Sequence, residues 1–312
     1  MYRYIIKRLI AMIPIIIGVS FIIFTILYFI PGDPATNILG PGATEEAINQ
    51  LNEDLGYNDP FIVRYVTYIK NALKGDLGRS YSNKLPVLGE IAKRIPVSAR
   101  LAVGSIFISL LIGIPIGVLS AVKQYSLYDK IPTGIALFVA SMPAFVIGML
   151  LMLALGLKLG WLPVSGVKAG WVSYILPCVS LGLPYGSRQL RFTRSSMLET
   201  IRQDYVRTAK AKGASKRKVI WGHAMRNALM PVITVAGTSF GALLGGAIAT
   251  ESLFGLPGLG VYISDGIKFK DVPAVMGGII SFAIMFSLVI LVVDITYAFV
   301  DPRIKARYVG RR

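Results

Sequence analysis

The stretch DYVRTAKAKGASKRKV, Asp204 to Val219, decides the fold through the charge it carries and the sequence on either side. From Arg188 to Arg226 the chain holds eleven Lys and Arg against two acids, Glu199 and Asp204. Long uncharged runs flank it. Of the 312 residues, 54% are hydrophobic and only 16% charged, with a mean hydropathy of +0.64. That is too little polar surface for a soluble globule of this size, and it implies an integral membrane protein. The +17 net charge does not point to nucleic acid. Sixteen of the 33 basic residues lie in the central segment and in the tail after Val300, as the Lys and Arg excess of cytoplasmic loops requires. No nucleic-acid partner is expected, and the lipid bilayer is the solvent.

Working outward, uncharged runs near the roughly 20 residues needed to cross the hydrocarbon core recur along the chain. They are Leu9 to Ile30, Leu101 to Val122, Ile131 to Leu157 with a break at Ser141-Met142-Pro143, the weaker Trp171 to Ser187, Leu229 to Thr250, and Val272 to Val300. The expected fold is an all-α integral membrane protein of six transmembrane helices with both termini cytoplasmic. Its parts are a cytoplasmic N-terminus and first helix (1–30), an extracytoplasmic segment (31–97), a five-helix core (98–300) with a cytoplasmic loop at 188–228, and a basic tail (301–312).

Arg3, Lys7 and Arg8 ahead of the first run resemble the basic end of a signal peptide. The apolar run is too long for a signal core and no A-x-A site follows, so it reads as a retained anchor. Segment 31–97 has eight acids and seven bases, which suits the outside. It opens on Pro31-Gly32-Asp33-Pro34, which cannot prolong a helix. Thr44 reads as the cap of one short helix, and the apolar face from Phe61 to Leu73 as another. Packing on the bundle mouth and docking of an external partner both remain open for this segment. Gly237, Gly241, Gly245 and Ala249 recur every four residues, a face for close helix packing or for lining a pathway.

Candidates for chemistry are few. His223 is the sole histidine and sits in the basic segment, where it reads as solvated or packed. Cys178 is the sole cysteine and reads as packing. No G-x-x-x-x-G-K-[ST] loop or metal-ligand cluster appears, so no catalytic residue, metal or cofactor is assigned to this chain. Asp294 is the clear ionisable residue within a span, and it reads as pairing or capping.

The central stretch can be built locally. Asp204 can cap a two-turn helix, Gly213 can take the left-handed conformation that ends it, and Ser215 can cap the next. Tyr205, Ala209 and Gly213 then share a face, with Arg207, Lys210 and Lys212 around it. Periodicity alone leaves protein docking and membrane-surface binding open.

Several motifs carry a resemblance. DYVRTAKAKG resembles the EAA loop of the membrane subunits of bacterial ABC importers. RFTRSSMLE before it, HAMRNALMPV, ESLFGLPGLG and DPRIK after it, and FIPGDPA, GDLGRSY and GWLPVSG upstream are similar to the first, B-type permease subunit of the dipeptide/oligopeptide (peptide/nickel) branch. Two departures accompany the match: Arg207-Thr208-Ala209 stands in place of the general Glu-Ala-Ala, and Pro231 lies further from Gly213 than the general spacing. The resemblance implies a type I ABC importer permease in the bacterial plasma membrane that takes peptides, with nickel complexes or glutathione as the alternative cargo. It implies a second, homologous permease subunit, two ATP-binding subunits that hold ATP and Mg, and an extracytoplasmic substrate-binding protein. Tyr205, Arg207, Thr208, Ala209, Lys210, Ala211, Lys212 and Gly213 would couple to the ATPase. For the pathway, Ser141, Met142 and Ser239 are the positions where the helix break and the small-residue helix could meet. An ion-coupled secondary transporter is the competing class, and it lacks the midplane acids such a machine uses.

Overall fold

A computed structural model describes residues 2–30, 33–40 and 42–300. Pro31, Gly32 and the basic tail 301–312 lie outside the described residues, so the expected turn opening and the cytoplasmic tail are not addressed by it. The described chain is helical, with one isolated antiparallel bridge between Arg79 and Pro86. The helices are α1 (Tyr2–Phe29), α2 (Pro34–Leu39), α3 (Glu45–Asp54), α4 (Phe61–Leu73), α5 (Val87–Val122), α6 (Leu127–Ala140), α7 (Ala144–Leu151), α8 (Ile175–Ile201), α9 (Asp204–Ala211), α10 (Met225–Leu253), α11 (Leu259–Lys268) and α12 (Val272–Val300). By length and composition α1, α5 and α12 can each cross a membrane, and two bent helix pairs raise the number to as many as five. The fold is thus an all-α, multi-pass membrane architecture.

Three expected boundaries change. The helix that holds the second expected span begins at Val87, ahead of Leu101: Glu90, Lys93 and Arg94 are joined by ion pairs within one helical face, so charged turns extend the apolar helix at its start. The third run is not one rod. α6 and the segment from α7 to Lys158 meet at a 103° bend at Ser141–Pro143, and Met152–Lys158 is wound as a π-helix. Proline cannot donate to the carbonyl four residues back, that of Val139. The Met142 amide takes that carbonyl instead at 3.2 Å, closing a tight turn. Finally, the basic segment does not begin as a loop. α8 continues through Arg188 to Ile201 with Gln189, Leu190, Thr193, Ser196, Met197 and Thr200 buried, so Arg188 and Arg191 stand on the outer side of a packed helix.

The chain divides into two compact units. One comprises Tyr2–Ser98 and Pro257–Ser287. In it Phe24 and Tyr65 form a core with Met276 and Ile280, and the Tyr65 hydroxyl lies 2.9 Å from Ser20 Oγ. Asp33 caps α2 by accepting from the Ala35 amide at 2.7 Å, while its other oxygen accepts from Asn52 of α3. Thr44 caps α3 by accepting from the Ala47 amide. The loop after α4 is held by Asp271, which accepts from Ser80 Oγ at 2.5 Å, from the Ser82 amide and hydroxyl at 3.2 Å, and from the Ala274 amide at the start of α12.

The other unit, Ala99–Leu256 with the chain from Leu288, is built around α8. α8 packs against α6, α7 and α10. Its crossing with α5 is made close by glycines. A Cβ on Gly113 would lie 2.8 Å from the Gly186 carbonyl oxygen, one on Gly117 2.7 Å from that of Leu190, and one on Gly182 2.7 Å from that of Ser105. In a membrane such backbone approach supplies the packing that the hydrophobic effect does not. Gln189 reaches from α8 to the Val232 carbonyl of α10 at 3.1 Å, and Ser196 to that of Ala228.

Candidate functional site

α9 occupies the centre of the quoted stretch. Gln203, in extended conformation, takes the N-cap position, so Asp204 opens the helix from inside its first turn. There its charge still favours the helix N-terminus. Gly213 adopts φ +77°, the left-handed geometry that any residue with a Cβ resists, and the chain turns back. The Ala214 amide then closes on the Ala209 carbonyl, and Ser215 Oγ accepts from the Lys218 amide. The next element is a π-helix, Lys218–Ala224, which no sequence signal announced.

The faces of α9 differ from the expected arrangement. Val206 is fully buried, packed in a core with Val118, Ala121, Met197, Val219, Ala224, Met225 and Ala228, and Ala209 is 9% exposed. Ala209 therefore turns inward and does not share an exposed face with Tyr205 and Gly213. The i, i+3 spacing of Val206 and Ala209 makes them the anchoring pair, and this apolar stripe was the legible signal that a search for small residues overlooked. Tyr205, Arg207, Thr208, Lys210, Ala211, Lys212 and Gly213 all remain exposed. The result is a two-turn helix fixed to its own unit on one side and presenting an aromatic ring, three cations and two small residues on the other. Its one ion pair, Asp204 with Arg207 at 3.7 Å, is solvent-exposed and adds little to stability.

Of the positions named for a pathway, two lie at the bend between α6 and α7 and one lies in α10. Ser141 Oγ bonds back to the Leu137 carbonyl at 2.9 Å, and Met142 is half-buried in the bend. Ser239 lies buried in α10, its hydroxyl without a hydrogen-bond partner among the described residues. On the small-residue face of α10, Gly237 lies tightly beneath Val293 of α12, whereas Gly245 and Ala249 are exposed, so close packing accounts for only its beginning.

A further group escaped the sequence reading. Asp129, in the first turn of α6, is 3% exposed and forms a two-pronged ion pair with Arg194 of α8, at 2.5 Å to Nε and 2.8 Å to Nη2. Its carboxylate also accepts from the Tyr125 amide, whose backbone stands at φ +65°, and from Thr133 Oγ1. An acid in a short loop framed by Lys123 and Lys130 was the available signal. Its partner, 65 residues on, was not. Among the described residues no cluster of three or more His, Cys, Asp or Glu is placed to hold a metal ion.

Comparison with known proteins fits this geometry. The family model for the binding-protein-dependent transport system inner membrane component matches residues 113–306, and that for the N-terminal part of such membrane components matches 1–102. Glutathione transport system permease protein GsiC of Escherichia coli (strain K12) is 39% identical over 305 residues, covering 98% of this chain and 99% of its own length. GsiC of Salmonella choleraesuis (strain SC-B67) matches to the same extent. A chain of the inward-facing MetNI methionine ABC transporter superposes with a TM-score of 0.57 at 17% identity, covering 68% of this chain and 96% of that one, and this likeness concerns the fold.

These relatives bear the name GsiC, of a glutathione system, and not that of a first, B-type permease of a dipeptide or oligopeptide system. The expected B-type assignment is corrected by that full-length likeness, because short motifs common to a branch do not separate its individual subunits. The chain is a multi-pass, inner-membrane permease component without catalytic activity of its own. With one model covering well over half of its length and relatives matched from end to end, the chain belongs to the binding-protein-dependent transport system inner membrane component family.

Proposed function

We propose that this chain is a permease subunit of an ATP-driven importer whose cargo is glutathione or a closely similar small peptide. The observation that carries the substrate class is the 39% identity to glutathione permeases over 98% of the chain. In this reading α1, α5, the α6–α7 pair, α8, α10 and α12 are six spans with both termini cytoplasmic. The segment from 31 to 97 is extracytoplasmic, α9 and the basic residues around it are cytoplasmic, and 301–312 is a cytoplasmic tail. A second, homologous permease completes the pathway, an extracytoplasmic binding protein delivers cargo, and two ATPase subunits carry ATP and Mg. The outward face of α9, from Tyr205 and Arg207 to Gly213, docks on an ATPase. Its inner anchorage through Val206 supports this, since a helix that transmits force must be fixed to what it moves. Ser141, Met142 and Ser239 border the pathway.

The test is reconstitution of the purified complex in proteoliposomes, with the binding protein on the substrate side. ATP-dependent uptake of labelled glutathione is the expected result. Uptake by this chain alone, driven by an ion gradient and indifferent to ATP, would overturn the importer reading. Preference for dipeptides or a nickel complex over glutathione would overturn the substrate.

A further inference from the structure

We infer that Asp129 and Arg194 form a positioning pair that carries displacement of α9 into the broken α6–α7 span. This rests on the proposed coupling role of α9. That helix rides on the end of α8: Val206 shares a core with Met197, flanked by Leu198 and Ile201. Arg194 stands one turn before Met197 on the same face of α8. Its guanidinium grips Asp129 by two parallel hydrogen bonds, and a fork of this kind fixes orientation as well as distance. Asp129 is in turn tied to the start of α6 by the Tyr125 amide and by Thr133. A second, exposed hydrogen bond runs from Arg202 to Gln124 on the same side.

Motion of the last turns of α8 is thereby delivered to one end of α6. The other end is the 103° bend at Ser141–Pro143, where the chain can change its angle. A hydrophobic contact would let α6 slide along α8, and the fork does not. The pair also assigns a task to RFTRSSMLE, whose fourth residue is Arg194.

The experiment uses the assembled complex in proteoliposomes with glutathione as the probe, and reads moles of ATP hydrolysed per mole imported. Asp129→Asn, Arg194→Lys and the double variant Asp129→Leu with Arg194→Met are compared with the unaltered complex. The lysine keeps the charge but loses the fork. The double variant removes both charges together, so that no buried ion is left alone. The expected result is an assembled complex in which ATP hydrolysis persists and the ratio rises about tenfold in the double variant, with a smaller rise for Arg194→Lys. An assembled double variant with an unaltered ratio would overturn the inference. So would its failure to assemble, which would make the pair a folding element and not a link. Failure of the underlying reading appears separately, as absence of ATP-driven import by the unaltered complex.

Discussion

Asp129 and Asp271 are both almost fully buried carboxylates, 3% and 1% exposed, and they are held in different ways. Asp129 faces a guanidinium across two helices. Asp271 meets no cation among the described residues and is satisfied by hydroxyls and amides from a loop and from its own helix start. The first balances charge with charge, so removing either partner strands the other. The second spreads one charge over several small donors, of which the Ser80 and Ser82 hydroxyls can turn to another acceptor. The first arrangement is brittle and directional, suited to fixing two rods against each other. The second tolerates loss and suits the fastening of a loop.

The comparison breaks first, if it breaks, at Asp129→Ala. This change leaves Arg194 facing a largely buried site without its counter-ion and is expected to cost about 3 kcal/mol, the low end for a broken buried pair because the arginine is partly wetted. The check is the thermal midpoint of the protein in detergent, and a loss smaller than that of Asp271→Ala would refute the distinction. Asp271→Ala removes a helix cap and the loop fastening, an expected cost of about 1–2 kcal/mol. Its sharper sign is local, with limited proteolysis gaining a cut between Gly75 and Pro86 while the rest of the chain stays protected. Gly213→Val forces a branched side chain into a left-handed turn, costing roughly 1–2 kcal/mol. Space is open around that glycine, so membrane insertion persists, and ATP-driven glutathione import is the quantity expected to fall. Arg207→Ala disturbs only an exposed ion pair and should leave the midpoint unchanged. Its effect is expected on co-purification of the ATPase subunits, and an unchanged yield would count against the outward face of α9 as the docking surface.

Much of this molecule was legible because membrane helices announce themselves by uninterrupted apolarity, and turns by residues with special backbone demands. Leu9 to Ile30, the cap at Thr44 and the left-handed Gly213 are of that kind. What was not legible depended on partners far away in sequence. Charge at Arg188 to Arg202 read as a loop, yet α8 runs through it because Gln189, Thr193 and Met197 find neighbours on α5 and α10 that periodicity alone does not reveal. Ala209 looked like part of a docking face because smallness serves burial and close docking equally well. GDLGRSY was visible as a motif, but that its serine fastens the loop to Asp271 required the fold. The Asp129–Arg194 pair was invisible for the same reason, one acid and one arginine among many charges.

The bend at Ser141–Pro143 has a consequence in simple lengths. At 1.5 Å per residue, the 14 residues of α6 reach about 21 Å and the 15 from Ala144 to Lys158 about 22 Å. Neither leg matches a hydrocarbon core of about 30 Å. Turned by 103° against each other, the two legs do not add as a straight rod would and together reach only about 27 Å from end to end. In the six-span reading proposed above, whatever borders that corner is therefore protein or water, and Ser141 to Pro143 marks where the bilayer ceases to be this chain's neighbour.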